Sequence, residues 1–296
     1  MLEAQQQDIT QALPQTPARQ WLDLRQLPLG SLAIIAGLII FAAIAPLLPY
    51  SPIEQSLSDK LLPPVWQEGG TSRYLLGTDI FGRDVLTRMC YGAQVSLLVI
   101  AFSLPVGGGV GLLLGLLSGY VGGRVDTVLM RLVDAALAFP TILFALLLAV
   151  TMGQGLRTLI IAIGLLLWAR FARIIRGEVL ALRHRDFIAL AQVRGCSHGR
   201  IMFAYILPNV MNTFMVLLTL HVGVVILAEA SLSFLGAGIP PPTPSWGQMV
   251  AEGRSKITSA WWLSLIPGLA ITLVVLAFNL FGDWLRDRLD PKLRQL

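Results

Sequence analysis

Six stretches of the chain, at 29–48, 95–118, 128–152, 156–175, 211–236 and 262–281, are dominated by apolar side chains. About 20 such residues make a helix of roughly 30 Å, the thickness of a bilayer's hydrocarbon core. No water reaches the backbone there, so a stretch of this kind takes the helical form, which pairs its own N–H and C=O groups. With 55% hydrophobic and 13% charged residues in 296, the chain is far from the balance of a soluble domain. The expected fold class is an all-α membrane protein with six transmembrane helices.

Orientation follows from the 22 lysines and arginines. Most fall in the first tail, the turn 119–124, the segment between the fourth and fifth stretches, and the last residues, and basic residues collect on cytoplasmic loops. Both termini are therefore expected inside. Residues 1–28 read as a Gln-rich mobile tail too polar to bury a core, and 286–296 as a second cytoplasmic tail. The apolar run after the first tail ends at Pro46 without a small-residue cleavage pattern, which fits a signal anchor rather than a cleaved signal peptide. The net charge of +5 has the same origin, since the basic residues sit at helix ends and not along a groove suited to nucleic acid. Cys90 and Cys196 are too few for a disulfide framework and fall on opposite sides of the membrane.

Gly107, Gly111 and Gly115 leave one face of the second stretch bare, so another helix can approach closely. Arg131 and Asp134 are spaced to pair on the third, at the inner interface, with a proton relay as the alternative. His221 and Glu229 lie on roughly one face of the fifth. Glu229 reads as an outer-end structural or pathway residue, or as a direct substrate contact; two ligands are too few for a metal site. Between the first two stretches, 50–91 is a long polar outer segment whose LLGTDIFGRD string (75–84) suits a tight, hydrogen-bonded loop. Trp246, Trp261 and Trp262 suit the membrane interface.

The most constrained polar stretch is 186–209, DFIALAQVRGCSHGRIMFAYILPN, flanked by Arg170, Arg173, Arg176, Arg183 and Arg185. Asp186 is placed to cap a short helix, 187–194, and Gly195 to end it in the left-handed conformation. Ser197 then caps a second helix, which carries Ile201, Met202, Tyr205 and Ile206 on one stripe and stops at Pro208. The outcome is a helix-turn-helix knob on an inter-helix loop.

Here the chain resembles a known family. Ala-x-x-x-Gly followed by a second helix and Ile-Leu-Pro-Asn looks like the cytoplasmic coupling loop of ABC importer permeases, with the usual Glu-Ala-Ala reading Ala189, Leu190 and Ala191, so the leading acid is missing. LLPPVWQEGG, LLGTDIFGRD and ILAEASLSFLGAGIPPPTPSWGQMVAEGR look like the corresponding passages of the dipeptide, oligopeptide and nickel permeases, in particular the second, C-type, dipeptide subunit. The resemblance covers about 30–294 and implies a type I importer permease fold. Its domains would be the tail 1–28, the first helix and outer loop 29–91, a five-helix core 92–285 with the coupling loop at 177–210, and the tail 286–296.

By the same resemblance, Ala189, Ala191, Gly195, Ser197, Pro208 and Asn209 contact the ATPase. Gly77, Asp79, Gly82, Arg83, Asp84 and Glu229 are the outer-loop and translocation candidates. The implied partners are a second homologous permease subunit, two ATP-binding subunits, an extracytoplasmic substrate-binding protein and membrane lipid, in a bacterial inner membrane. No cofactor is bound by this chain; ATP and Mg belong to the partner subunits. The PPVWQEGG segment favours dipeptides, and the same architecture serves oligopeptides, nickel or haem.

Other chemistries find little support. There is no phosphate-cradling GxxxxGK[ST], so the chain is not itself an ATPase of that kind. Gly195-Cys196-Ser197-His198-Gly199 fits G-x-S-x-G, but that elbow needs a preceding strand and an acid between the serine and its histidine. An intramembrane aspartyl protease would need a second embedded Asp facing Asp134. An ion-coupled secondary transporter would need ionisable groups near the midplane and broken helices in inverted repeats.

Overall fold

The computed structural model describes residues 27–289, and nearly all of the two expected tails lies outside the described residues. Among those described, the ordered elements are helical. Helix α1 (Leu29–Ala43) is shorter than the expected span, because Pro46 interrupts the ladder and the chain turns through a 3₁₀ segment, Ala45–Leu47. Helix α2 (Val85–Val121) starts ten residues earlier than expected. The cause is Asp84, whose carboxylate accepts from the Thr87 N–H at 2.8 Å and fixes the start inside what the sequence reads as loop.

The expected third span is broken. Helices α3 (Gly123–Ala138) and α4 (Thr141–Met152) meet at 87°. Pro140 enforces this: the residue before a proline is pushed out of the helical region, and Phe139 is extended at φ −78° and ψ 132°. Helix α5 (Leu156–Arg183) runs two turns beyond the expected limit. The arginines at 170, 173, 176 and 183 therefore ride on a helix, not on a loop. The short α6 (Asp186–Val193) follows, then α7 (His198–Phe234), α8 (Trp246–Gly253) and α9 (Trp262–Leu289). Among the described residues, four helices, α2, α5, α7 and α9, are long and apolar enough to cross a membrane, or five spans if α3 and α4 count as one.

Pro208 does not end the second knob helix. Ile201–Ile206 widens into a π-helix, and α7 continues through the proline, which sits in the first turn of the α-helical part. The wider turn absorbs the missing N–H and the bulk of the ring. The Asn209 side chain adds a donor to the Tyr205 carbonyl at 2.6 Å. Ile201 and Ile206 are buried as the stripe requires, whereas Tyr205 is exposed.

The core is the contact of α2 with α5. A Cβ on Gly107, Gly111 or Gly115 would lie 2.7, 2.6 and 2.6 Å from the carbonyls of Gly164, Trp168 and Ala172, so these glycines set the approach. Gly119 extends the seam by one turn, against Val179. Gly109 points elsewhere and meets nothing. Gly111→Val is thus expected to force the helices apart, at the ~1–3 kcal/mol typical of overpacking. Thermal unfolding of the solubilised protein should show a lowered midpoint for Gly111→Val and none for Gly109→Val; equal midpoints would remove the seam from the account.

Candidate functional site

At the end of the molecule away from the arginines, the LLGTDIFGRD loop is held by buried charge. Asp79 accepts from the backbone N–H of Phe81 and Arg83 at 2.8 and 3.0 Å, from Arg83 Nε at 2.6 Å, and from Arg88. Both guanidiniums continue to Glu252 on α8, Arg83 at 3.0 Å and Arg88 at 2.7 Å, and Gln248 also donates to Glu252. Two arginines balance two carboxylates, as burial requires: Asp79 is 3% and Arg88 1% exposed. Gly82, at φ +74°, closes the turn against the Ser56 backbone, where no side chain would fit. Gly77, at φ +79°, does the same against the Leu62 carbonyl.

Asp84 completes the loop with hydrogen bonds from the Thr87 N–H and hydroxyl. Burial pushes its carboxyl up, against the pull of those Thr87 bonds. Further out, Asp59 accepts from Ser56 at 2.8 Å and Tyr74 at 3.0 Å, and these bonds, Ser56 first, hold its carboxyl below the usual range. Of the three tryptophans expected at an interface, Trp261 is half-buried and the other two lie inside the protein. Trp246 and Trp262 are buried, with indole N–H groups donating to the Met89 and Thr78 carbonyls at 2.9 and 3.2 Å. Sequence reasoning missed Arg88 and Glu252 as the partners of the motif. Their one signal was a charged residue just after the LLGTDIFGRD string, in DVLTR, and another at the end of the 226–254 string, in VAEGR.

Glu229 turns inward. It is 1% exposed and accepts from Ser233 at 2.9 Å on its own helix. His221 lies two turns away, its ring tilted against Phe171 with centroids 4.7 Å apart, so the two side chains do not converge.

At the arginine-rich end, the knob is α6, the turn 194–197 and the first turns of α7. Asp186 is not the cap: Arg185 holds that position and no side chain caps the helix, while Asp186 sits in the first turn. The exit is a Schellman turn, with the Gly195 N–H on the Gln192 carbonyl and the Cys196 N–H on the Ala191 carbonyl. Gly195 has φ +75° and open space around its Cβ position, so only its backbone conformation demands glycine. Ser197 caps the next helix through the Arg200 N–H. Ile188 and Ala191 face inward, whereas Ala189, Pro208 and Asn209 are exposed. Phe187, Leu190 and Val193 form an uncovered apolar row, Val193 being 85% exposed.

Side-chain bonds tie this end to the helices. Tyr120, at the end of α2, meets His198 Nδ1 at 2.9 Å, and Arg183 donates to the Gly119 and Tyr120 carbonyls. Arg176 binds Asp126 through two bonds of 2.6 Å. The expected Arg131–Asp134 pair is absent, because Asp134 is taken by Arg173, which reaches across from α5.

A bundle of membrane-length helices with a helix-turn-helix knob at one end and a charge-locked loop at the other is an integral membrane protein. Residues 111–295 match the family described as binding-protein-dependent transport system inner membrane component, and the chain belongs to that family. It is 43% identical over 267 residues to the di/tripeptide transport system permease protein DppC of Pseudomonas aeruginosa, covering 90% of this chain and 88% of that protein. The dipeptide transport system permease protein DppC of Haemophilus influenzae is 40% identical, with 95% and 97% covered. The glutathione transport system permease protein GsiD of Pectobacterium atrosepticum is 40% identical, with 88% and 87% covered. The chain is a permease subunit of an ABC importer in the bacterial inner membrane, working with ATP-binding and substrate-binding partners.

Two tests follow from this geometry. Arg88→Ala leaves Asp79 and Glu252 short of a cation in a buried place, and losing one partner of such a network costs about 3–5 kcal/mol. Limited proteolysis should then cut the 54–84 loop in Arg88→Ala but not in Arg73→Ala, where the side chain is 62% exposed; equal protection would dissolve the lock. Gly195→Val forces a β-branched residue into left-handed backbone at about 1–2 kcal/mol or more, whereas Asn tolerates it. The Val variant is expected in normal amounts but without bound ATPase after purification, and Gly195→Asn with most of it. Full ATPase retention by the Val variant would refute a mechanical role for the turn.

Proposed function

We propose that this chain carries dipeptides and other short peptides inward across the membrane, as one of two related permease subunits served by two ATP-binding subunits and an extracytoplasmic binding protein. ATP and Mg bind to the partner subunits and no cofactor binds here. The observation that carries the peptide reading is the 43% identity, over nine-tenths of the chain, to a di/tripeptide permease. The 40% identity to a glutathione permease keeps the reading at short peptides rather than dipeptides alone.

The topology in this reading is six spans with both ends cytoplasmic, α1 being the first and α3 with α4 the third. Residues 92–285 form the core, and 29–91 the first helix and outer loop. The coupling loop is 177–210, with the knob at its centre: Ala189, Pro208, Asn209 and the apolar row of α6 meet the ATPase surface, while Ala191, Gly195 and Ser197 keep the knob's shape. Closure of the ATPases moves the knob, and the helices joined to it tilt to open the path outward. Gly77, Asp79, Gly82, Arg83 and Asp84 hold the outer loop in place under the binding protein, and Glu229 supports the outer end of α7.

Proteoliposomes holding the complete complex decide the matter. Dialanine uptake that requires both ATP and the binding protein is the expected result. Tight binding-protein loading with nickel or haem, and no movement of dialanine, would sink the peptide reading.

A further inference from the structure

Between α1 and α9, on the side of the bundle where α2 begins, runs a groove of about 390 Å³. Its walls are 34–41 of α1, where Gly37 and Phe41 face it, and 266–274 of α9, where Ala270 and Leu273 do. The buried Met89 of α2 and Trp246 of α8 form its floor. Every side chain around it is apolar, and the one polar group among them, the Trp246 indole N–H, is spent on the Met89 carbonyl at 2.9 Å. Gly37 keeps the space open, since a Cβ there would meet nothing within 4 Å. On α9 the groove is continuous with an exposed leucine row that starts at Leu269 and Leu273 and goes on through Leu276 and Leu280.

The chemistry of the groove selects its occupant. Water finds no partner in an apolar space and does not fill it. The segments outside the described residues, 1–26 and 290–296, are too polar to lie there. A further helix is 10–12 Å across, and α1 and α9 already touch, with the axes of packed helices about 8–10 Å apart, so no helix enters between them to reach Trp246. A hydrocarbon chain is thin, flexible and apolar, and it is the medium that surrounds a membrane-length helix such as α9. Filling the groove regains the dispersion contacts that an unfilled space forgoes.

We propose that this groove is a lipid site, in which one acyl chain of a phospholipid from the leaflet nearer the charge-locked loop lies between α1 and α9 against Met89 and Trp246. Trp246 is the first residue of α8, the helix that carries Glu252 of the charge-locked loop. The bound chain thus backs the short α1 and the helix on which the loop is anchored. The site depends on the chain's being in a membrane and not on what it transports.

Tryptophan emission of the full-length chain, in vesicles of phosphatidylcholine with or without bromine on the acyl chains, is the test. Trp246 is 2% exposed and lies behind the groove, so bromine reaches its ring on a chain that occupies the groove. Wild type is expected to lose more emission to the brominated lipid than Gly37→Leu, whose added side chain takes up the space. Gly30→Leu, at an equally open position of α1 outside the groove, should keep the wild-type excess, and Trp246→Phe should abolish it. The two leucine variants decide the matter by themselves where Trp246→Phe does not fold. Equal quenching of wild type and Gly37→Leu, or an excess that survives Trp246→Phe, would overturn the lipid site. So would a cross-link from Gly37→Cys to the second permease subunit in the complete complex, which would give the groove to a protein partner.

Discussion

The bare glycine face between α2 and α5 is the contact on which the other helices depend. Lipid tails are as apolar as leucine, so no hydrophobic drive pulls two helices together in a bilayer, and association rests on close van der Waals approach. Four glycines a turn apart, from Gly107 to Gly119, bring α2 against α5 along about three turns. Phe171 then fills the space towards α7, against Phe214 and His221. With α5 fixed on α2, its arginines are presented in register to Asp134 and Asp126 on the amphipathic α3. The seam therefore decides both how the spans pack and where the charges of one helix find partners.

The two ends solve opposite problems. At the 75–84 loop, charge is buried and must be neutral as a group, which Asp79, Arg83, Arg88 and Glu252 achieve by sharing oxygens between two guanidiniums. Such a network is intolerant of a missing member and so holds one geometry, tying segments more than 160 residues apart in sequence. At the arginine-rich end the links are fewer and more exposed. Tyr120 with His198 is the direct side-chain link from α2 to the knob. The two ends therefore differ in stiffness, the charge-locked loop holding one geometry and the arginine-rich end held by more exposed links.

Much of this was legible in the sequence. The apolar runs at 95–118, 156–175, 211–236 and 262–281 each lie in a membrane-length helix, because the bilayer imposes one length scale on them, whereas 29–48 holds a 15-residue helix and 128–152 a pair bent by 87°. Gly195 and Ser197 were readable as turn and cap, since each depends only on local backbone chemistry. Errors gathered where local rules met tertiary ones. Arg131 and Asp134 are spaced to pair, yet Arg173 on a neighbouring helix wins Asp134, and spacing along one helix cannot show that competition. The early start of α2 hung on one cap, Asp84, inside a string that otherwise reads as turn. Trp246 and Trp262 were assigned to the interface by residue type, although each satisfies its indole N–H inside the protein.

The misreading at Pro208 carries the most weight for how the knob works. Had the second knob helix ended there, α6 and its partner would form a separate unit on a loop, joined to the membrane through two flexible connections. Instead α7 runs unbroken for 37 residues from His198, about 55 Å, from the knob to the opposite end. The other arm is different: α5 ends at Arg183, and only His184 and Arg185 separate it from α6. A displacement of α6 is thus carried by a rigid rod on one side and taken up by a two-residue joint on the other. The π-helical turn keeps the rod continuous where a proline would have cut it, and it is the one place along α7 where the ladder is already loosened. Any bend of that rod under load is set to occur at 201–206, next to the knob and below the level of Phe214 and His221.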